Sequence, residues 1–276
     1  MPAFTALTAF IAPDKRKDQH FLIDLNILKK IVAIADIHKD EDVLEIGTGP
    51  GNLTELLAQK ARHVYTIEMD PALVALLEEK FKGSNVTIIK GNALKVEFPR
   101  FDKVVANLPY SISSDVTFKL LKNNFKLGIL MYQREFAQRM IARVGEPDYS
   151  RLSVDVQHFA DVEILMKVPP QAFSPPPEVE SAVVRVTPRP AAYSVKDRAL
   201  FMALVTAAFT QRRKRLRNAL VNGAHIMGIH GMKALVSRLP PDLMDKRAEE
   251  VSPEEYAALA DRLYELTAHE RSGLSK

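Results

Sequence analysis

Apolar positions from Asp40 onward alternate between two rhythms. Short β-branched runs read as strands in "DVLEIGTG", "HVYTIEMD", "NVTIIKGNAL", "FDKVVANLPY" and "KLGILMYQ". Between them, "NLTELLAQKA", "PALVALLEEKF", "SDVTFKLLKN" and "REFAQRMIAR" repeat with a helical period. Pro71 stands at a first helical position, where its missing N–H is harmless. Pro109 cannot donate to a sheet ladder, so the strand in "FDKVVANLPY" must stop there. This alternation predicts an α/β fold, a mostly parallel sheet with helices on both faces.

The rhythm then changes. "LSVDVQHFADVEILMKVP" and "SAVVRVTP" predict a longer strand pair at the sheet's end, joined through "PQAFSPPPEVE". From Lys196 the periodicity is helical only, and "RALFMALVTAAFTQRRKRLRNAL", free of Gly and Pro, predicts one continuous helix. Ser252 and Pro253 open a final helix, and the last residues, "HERSGLSK", are expected to fray. "TPRP" breaks both patterns, which predicts a boundary between a domain over 1–188 and a small all-helical domain over 189–276.

Composition narrows the class. With 276 residues, 47% hydrophobic and 26% charged, the chain has the material of a globular protein. No apolar run approaches the ~18 residues of a membrane-spanning helix. The apolar stretch over residues 4–12 lacks a preceding basic segment, and Lys15, Arg16 and Lys17 follow it, so no secretory signal is expected. Cysteine is absent, which removes disulfides and thiolate metal sites and is compatible with the cytoplasm. The seven histidines show no ligand-like spacing, so no metal is expected. Net charge is +4, but five cations crowd between Arg212 and Arg217, and such a patch attracts phosphate backbones.

The chemistry concentrates where strands end. Gly47, Gly49 and Gly51 in "EIGTGPGNLT" allow a tight turn and a close ligand approach at a helix start. The spacing departs from the dinucleotide pattern, with Asn52 where that pattern has glycine. This suits S-adenosylmethionine, which has no pyrophosphate. Glu68, ~20 residues on, ends the second strand, where an acid grips ribose hydroxyls; Met69 follows it. Asn92, followed by Ala93, could accept from the cofactor's adenine amine through Oδ1; a plain Gly-Asn turn explains it equally well. Gly47, Glu68, Asn92 and Asn107 each end a different predicted strand, and that rim is where open α/β sheets bind ligands.

"DQHFL", "EIGTGPGNLT", "IEMD", "NLPYSISS" and "AFSPPPEVESAVV" occur in that order over nearly the whole chain. In this set the chain resembles the class I, S-adenosylmethionine-dependent methyltransferases, and among them the small-subunit ribosomal RNA adenine N6,N6-dimethyltransferases. The resemblance implies a Rossmann-like class I fold and dimethylation of two adjacent adenosines near the RNA's 3′ end, on the immature small ribosomal subunit; a monomer is expected, although the sequence does not encode oligomeric state legibly. It implies that the Asn107 oxygen and the Leu108 or Pro109 carbonyl accept from the target amine, while Tyr110 and Phe173 stack on either face of the flipped base. It further implies that "DQHFL" closes over the cofactor, with His20 and Leu22 as contacts and Gln19 in reach. Relatives carry Asp where this chain has Asn92.

The basic segment is read as an RNA-binding helix. Arg213 and Arg217 share a face at i, i+4, and Arg212, Lys214 and Arg215 continue the charge around it. A solvated helix and a nuclear targeting signal are the bland readings. Two rival functions stay open: a non-catalytic ribosome-assembly or transcription factor on the same fold, and a DNA adenine or protein amide methyltransferase.

Overall fold

The computed structural model describes residues 13–14, 18–191 and 193–273. The apolar stretch 4–12, the cations 15–17 and the final residues 274–276 lie outside the described residues. The chain divides into two compact units, one of residues 1–137 and 161–189, the other of residues 138–160 and 190–276. The second division falls beside the "TPRP" break. The segment 138–160, which the sequence reading left in the first domain, clusters with the helical unit.

The first unit begins with a two-residue strand, β1 (Phe21–Leu22), and helix α1 (Leu25–Ala35). Asp24 caps α1, its Oδ1 accepting from the N–H groups of Asn26 and Ile27. Leu28, Ile31, Val32 and Ala35, at i, i+3, i+4 and i+7, form its buried stripe. There follow β2 (Asp42–Ile46), α2 (Asn52–Ala58), β3 (His63–Glu68), α3 (Pro71–Lys80), β4 (Val86–Lys90), β5 (Lys103–Asn107), α4 (Ser113–Leu120) and β6 (Leu127–Gln133). After α5 (Arg134–Ile141) and α6 (Arg151–Phe159) come β7 (Ala160–Val168), β8 (Phe173–Ser174) and β9 (Ser181–Pro188).

The main sheet runs β4-β3-β2-β5-β6-β9-β7. Its first five strands are parallel, and β9 returns antiparallel to β6. The chain winds outward from β2 to β4 and then crosses back to place β5 on β2's other side. The crevice between the carboxyl ends of β2 and β5 is therefore the switch point where such sheets bind ligands. A small second sheet pairs β1 with β8 antiparallel.

Two elements depart from the sequence reading. Residues 151–159 form helix α6, and the strand starts only at Ala160. The L-S-V-D-V-Q-H-F alternation mimics a strand, but a Ser150–Ser153 capping box starts a helix that is buried on most sides. The long basic helix is also broken. Helix α7 (Arg198–Thr210) ends before the arginines, residues 211–215 form a turn, and α8 (Leu216–Asn222) begins after it. The like charges of Arg213 and Arg217, at i, i+4, weaken the helix that local propensity favours here. Tertiary pairing takes over the backbone: Arg215 bridges Arg247, and the Leu216 N–H donates to the Lys246 carbonyl at 2.7 Å.

The helical unit is completed by α9 (Ala224–Met227), α10 (Met232–Val236), α11 (Pro241–Asp245) and α12 (Pro253–Gly273). Its core joins Phe201, Leu204 and Val205 of α7 to Leu220, Leu263, Tyr149 and Tyr256. Both tyrosines place their hydroxyls on backbone carbonyls, of Val251 at 2.8 Å and Ala248 at 2.9 Å. No helix among the described residues is long and apolar enough to cross a membrane.

Candidate active site

A cavity of about 660 Å³ opens over the switch point and collects residues from four strand ends. They are Gly47, Thr48 and Gly49 after β2; Glu68, Met69 and Asp70 at β3; Gly91, Asn92 and Ala93 after β4; and Asn107, Leu108, Pro109 and Tyr110 after β5. Asp18, Gln19, His20 and Leu22 reach it from the N-terminal strap.

Two glycines make the cradle. Gly47 has φ +77°, and a Cβ there would lie 3.0 Å from Pro109 Cδ, so the glycine turn and "NLPY" pack without room for a side chain. Gly49 has φ +55°, and a Cβ would meet the Phe21 ring at 3.0 Å. Gly51 instead packs against Leu77 and Phe81 in the core.

Glu68 is anchored by the backbone. Oε2 accepts from the Gly49 N–H at 3.1 Å, and Oε1 from the N–H groups of Met69 and Asp70, both at 2.8 Å. Burial raises its pKa, and these three bonds oppose the rise. Three donors already sit on a carboxylate with about four acceptor sites, leaving one site, on Oε2. That is fewer than the two open acceptors expected for a ribose diol.

Asn107 is oriented by the strap. Its Nδ2 donates to the His20 carbonyl at 3.1 Å, which leaves Oδ1 without a donor among the described residues. The Pro109 carbonyl accepts from Ile112 N–H and Ser113 Oγ, both at 3.3 Å, whereas the Leu108 carbonyl has no donor among the described residues. Of the two carbonyls expected to accept from an amine, Leu108 is the one left open. The Tyr110 hydroxyl is held by Ser181 Oγ at 2.6 Å, and burial raises the phenol's pKa. The His20 ring stacks beside Tyr110, with centroids 5.9 Å apart and planes 23° apart, and its Nδ1 lies 2.9 Å from the Pro175 carbonyl.

The strap itself is stitched down by polar contacts. Asp18 Oδ2 accepts from the Ser111 N–H at 2.7 Å, Gln19 Nε2 donates to Asp70 Oδ2 at 2.9 Å, and Asn52 Nδ2 donates to the Leu22 carbonyl at 3.0 Å.

Two expectations need correction. Phe173 is 1% exposed: it pairs with Leu22 across β1 and β8 and packs in the core, away from the cavity lining. In this conformation it offers no face to a base. Asn92 Oδ1 accepts from the Leu94 N–H at 2.8 Å, capping its own turn, so one of that oxygen's two lone pairs is committed to the backbone and not to an adenine amine.

Glu45 was not anticipated. It is 1% exposed beneath the glycine turn, and its Oε2 accepts from Thr54 Oγ1 at 2.6 Å and Thr66 Oγ1 at 2.9 Å. Burial pushes its pKa up to about 8. The signal available was a lone acid inside an apolar strand, "VLEI".

The cavity's charge is one-sided. Asp18, Glu68 and Asp70 line it together with Glu45, which its raised pKa keeps neutral at pH 7, and no lysine or arginine among the described residues does. Such a lining suits a cationic ligand rich in donors and opposes a pyrophosphate.

The five basic residues lie in the helical unit and are unequal. Arg215 and Arg217 both pair with Asp245, the former at 2.8 Å, and Arg212 pairs with Glu249 at 2.6 Å. Arg213 and Lys214 are exposed in the turn, with no acidic partner among the described residues.

The family model described as ribosomal RNA adenine dimethylase matches residues 14–262. A probable ribosomal RNA small subunit methyltransferase A of Methanosarcina barkeri is 56% identical over 250 residues, covering 90% of this chain and 87% of its own length. The protein of the same description from Natronomonas pharaonis is 48% identical, covering 94% of this chain and 96% of its own. Among solved structures, a dimethyladenosine transferase from Plasmodium falciparum superposes with a TM-score of 0.75 at 31% identity, covering 90% of this chain and 98% of that one. The 23S rRNA methyltransferase ErmE does so with a TM-score of 0.62 at 28% identity, covering 88% and 99%. The chain belongs to the ribosomal RNA adenine dimethylase family, on a class I methyltransferase fold.

Proposed function

We propose that this protein dimethylates the N6 amines of two adjacent adenosines near the 3′ end of small-subunit ribosomal RNA, with S-adenosylmethionine as methyl donor. It acts as a cytoplasmic monomer on the immature small subunit. The observation that carries the reading is the acid-lined cavity, with no lysine or arginine among the described residues of its lining and with Asn107 Oδ1 and the Leu108 carbonyl as open acceptors at its rim.

The residues present fit the cofactor. Glu68 Oε2 can accept from one ribose hydroxyl, Met69 is 67% exposed and can cover the base, and the Gly47–Gly49 turn admits close approach. When bound, the sulfonium supplies an electrophilic methyl group. The rest is positioning. An adenine amine is a poor nucleophile because its lone pair is delocalised into the ring. Asn107 Oδ1 and the Leu108 carbonyl accept from its two hydrogens and hold the nitrogen toward a pyramidal, nucleophilic shape. Tyr110, fixed by Ser181, provides the face on which a flipped base stacks, worth roughly 1–3 kcal/mol.

The test is radiolabelled methyl transfer to immature small subunits, with DNA and peptide as competing acceptors, followed by nucleoside analysis. Dimethyladenosine from the RNA alone is expected. No transfer to any acceptor would favour the non-catalytic assembly factor; label in DNA or peptide would favour the other methyltransferase class.

The ion pairs divide the basic cluster. Arg213 and Lys214 are free to meet phosphate, whereas Arg215 and Arg217 hold the turn onto Asp245. The double variant Arg213→Ala, Lys214→Ala is expected to weaken RNA binding and to flatten the log–log salt dependence by about 1–2 units of slope. Filter binding across a salt series measures both. An unchanged slope would remove these residues from the RNA interface.

A further inference from the structure

The turn after β4 gives the Asn92 amide one orientation. A backbone N–H needs an oxygen opposite it, and the Leu94 N–H finds Asn92 Oδ1 at 2.8 Å. The Lys95 and Val96 N–H groups close the same turn on the Asn92 carbonyl, at 2.8 and 3.0 Å. The amide atom with no partner among the described residues is Nδ2, both of whose hydrogens lack an acceptor there. Asn92 lines the cavity, so this side chain brings a donor to it.

The turn is clamped from outside. Helix side chains lean toward the helix N-terminus, so Lys119 near the end of α4 points back toward the rim. Its ammonium donates to the carbonyls of Ala93 at 2.8 Å and Val96 at 2.5 Å, and lies 4.3 Å from the Phe98 ring centroid. Turning the amide over would set Nδ2 against the Leu94 N–H, donor against donor.

We propose that Asn92 presents a hydrogen-bond donor, not an acceptor, to the 6-position of the cofactor's base, so that this side chain does not select an amine there and admits a 6-oxo purine. The proposal rests on reading the cavity as the S-adenosylmethionine site with the base against this turn. An aspartate at 92 would differ in one respect. One oxygen would cap Leu94 as Oδ1 does now, and the other would replace Nδ2 as an acceptor for an amine.

Calorimetry with S-adenosylhomocysteine and its deaminated analogue, S-inosylhomocysteine, tests this without any turnover. Asn92→Asp is expected to raise the preference for the adenosyl ligand over the inosyl ligand by ~tenfold or more relative to wild type. Asn92→Ala, which removes the donor without adding an acceptor, is expected to weaken the inosyl ligand more than the adenosyl one. Lys119→Met loosens the turn as a whole and is expected to weaken both ligands by similar factors. An unchanged preference in Asn92→Asp, or a shift toward the inosyl ligand, overturns the proposal. So does a Lys119→Met shift as large as that of Asn92→Asp, which would assign the discrimination to the turn's shape. Failure of the cofactor reading looks different: wild type would then bind neither ligand.

Discussion

Asn107→Ala is expected to lower single-turnover methyl transfer by between about a hundredfold and a thousandfold, the usual cost of removing one positioned polar group from a transition state. Two features of the site set this size. Asn107 Oδ1 has no donor among the described residues, and its direction is fixed because Nδ2 is tied to the His20 carbonyl. Alanine removes the acceptor and the tie together. The tie is a single hydrogen bond with a net worth of about 0.5–1.5 kcal/mol, so cofactor affinity should fall by no more than about tenfold. Rapid-quench kinetics with saturating cofactor separates the two effects. A rate loss below tenfold would mean that the amine is held elsewhere and that Asn107 only fastens the strap.

The layout of this site was legible in the sequence because strand ends can be read. Alternating runs ending in "EIG", "IEMD", "KGN" and "VAN" put Gly47, Glu68, Asn92 and Asn107 on one rim, and the cavity gathers all four. Orientation was not legible. Whether Asn92 faces the ligand with oxygen or nitrogen depends on the Leu94 N–H, two residues away, and no periodicity encodes that bond. Phe173 was misplaced for a related reason. "AFSPPP" reads as an extended loop, but it pairs with β1, a strand too short to show any alternation, and that pairing turns the ring inward. In the basic segment, local propensity favoured a helix, and partners more than twenty residues away, at Asp245, Lys246 and Arg247, redirected the backbone.

Glu45→Gln is expected to stabilise the protein above neutral pH and to remove a pH slope that wild type carries. The Glu45 carboxyl has its ordinary value of 4.5 raised to about 8, chiefly by burial, with the Glu68 charge adding to the rise and the Thr54 and Thr66 hydrogen bonds and Lys80 opposing it. Its raised native value favours the protonated form. Unfolded chains release this proton near pH 4.5, while the native state keeps it to about 8. Across that window the unfolded state binds fewer protons, so stability falls as pH rises, and it levels off above 8. The full span corresponds to on the order of 5 kcal/mol. Glutamine cannot ionise, yet it keeps a carbonyl oxygen for both threonines. Urea titrations at pH 5 and pH 8 should therefore show the variant gaining most at pH 8. Asp102, held low by the Asp42 backbone N–H, gives an opposite slope, but it is present in both proteins and cancels in the difference. Cofactor affinity at pH 7 should match between the two, because wild-type Glu45 is already neutral there. A stability difference that stays flat from pH 5 to 8 would show that the native carboxyl ionises at its ordinary pH, with water reaching it beneath the glycine turn.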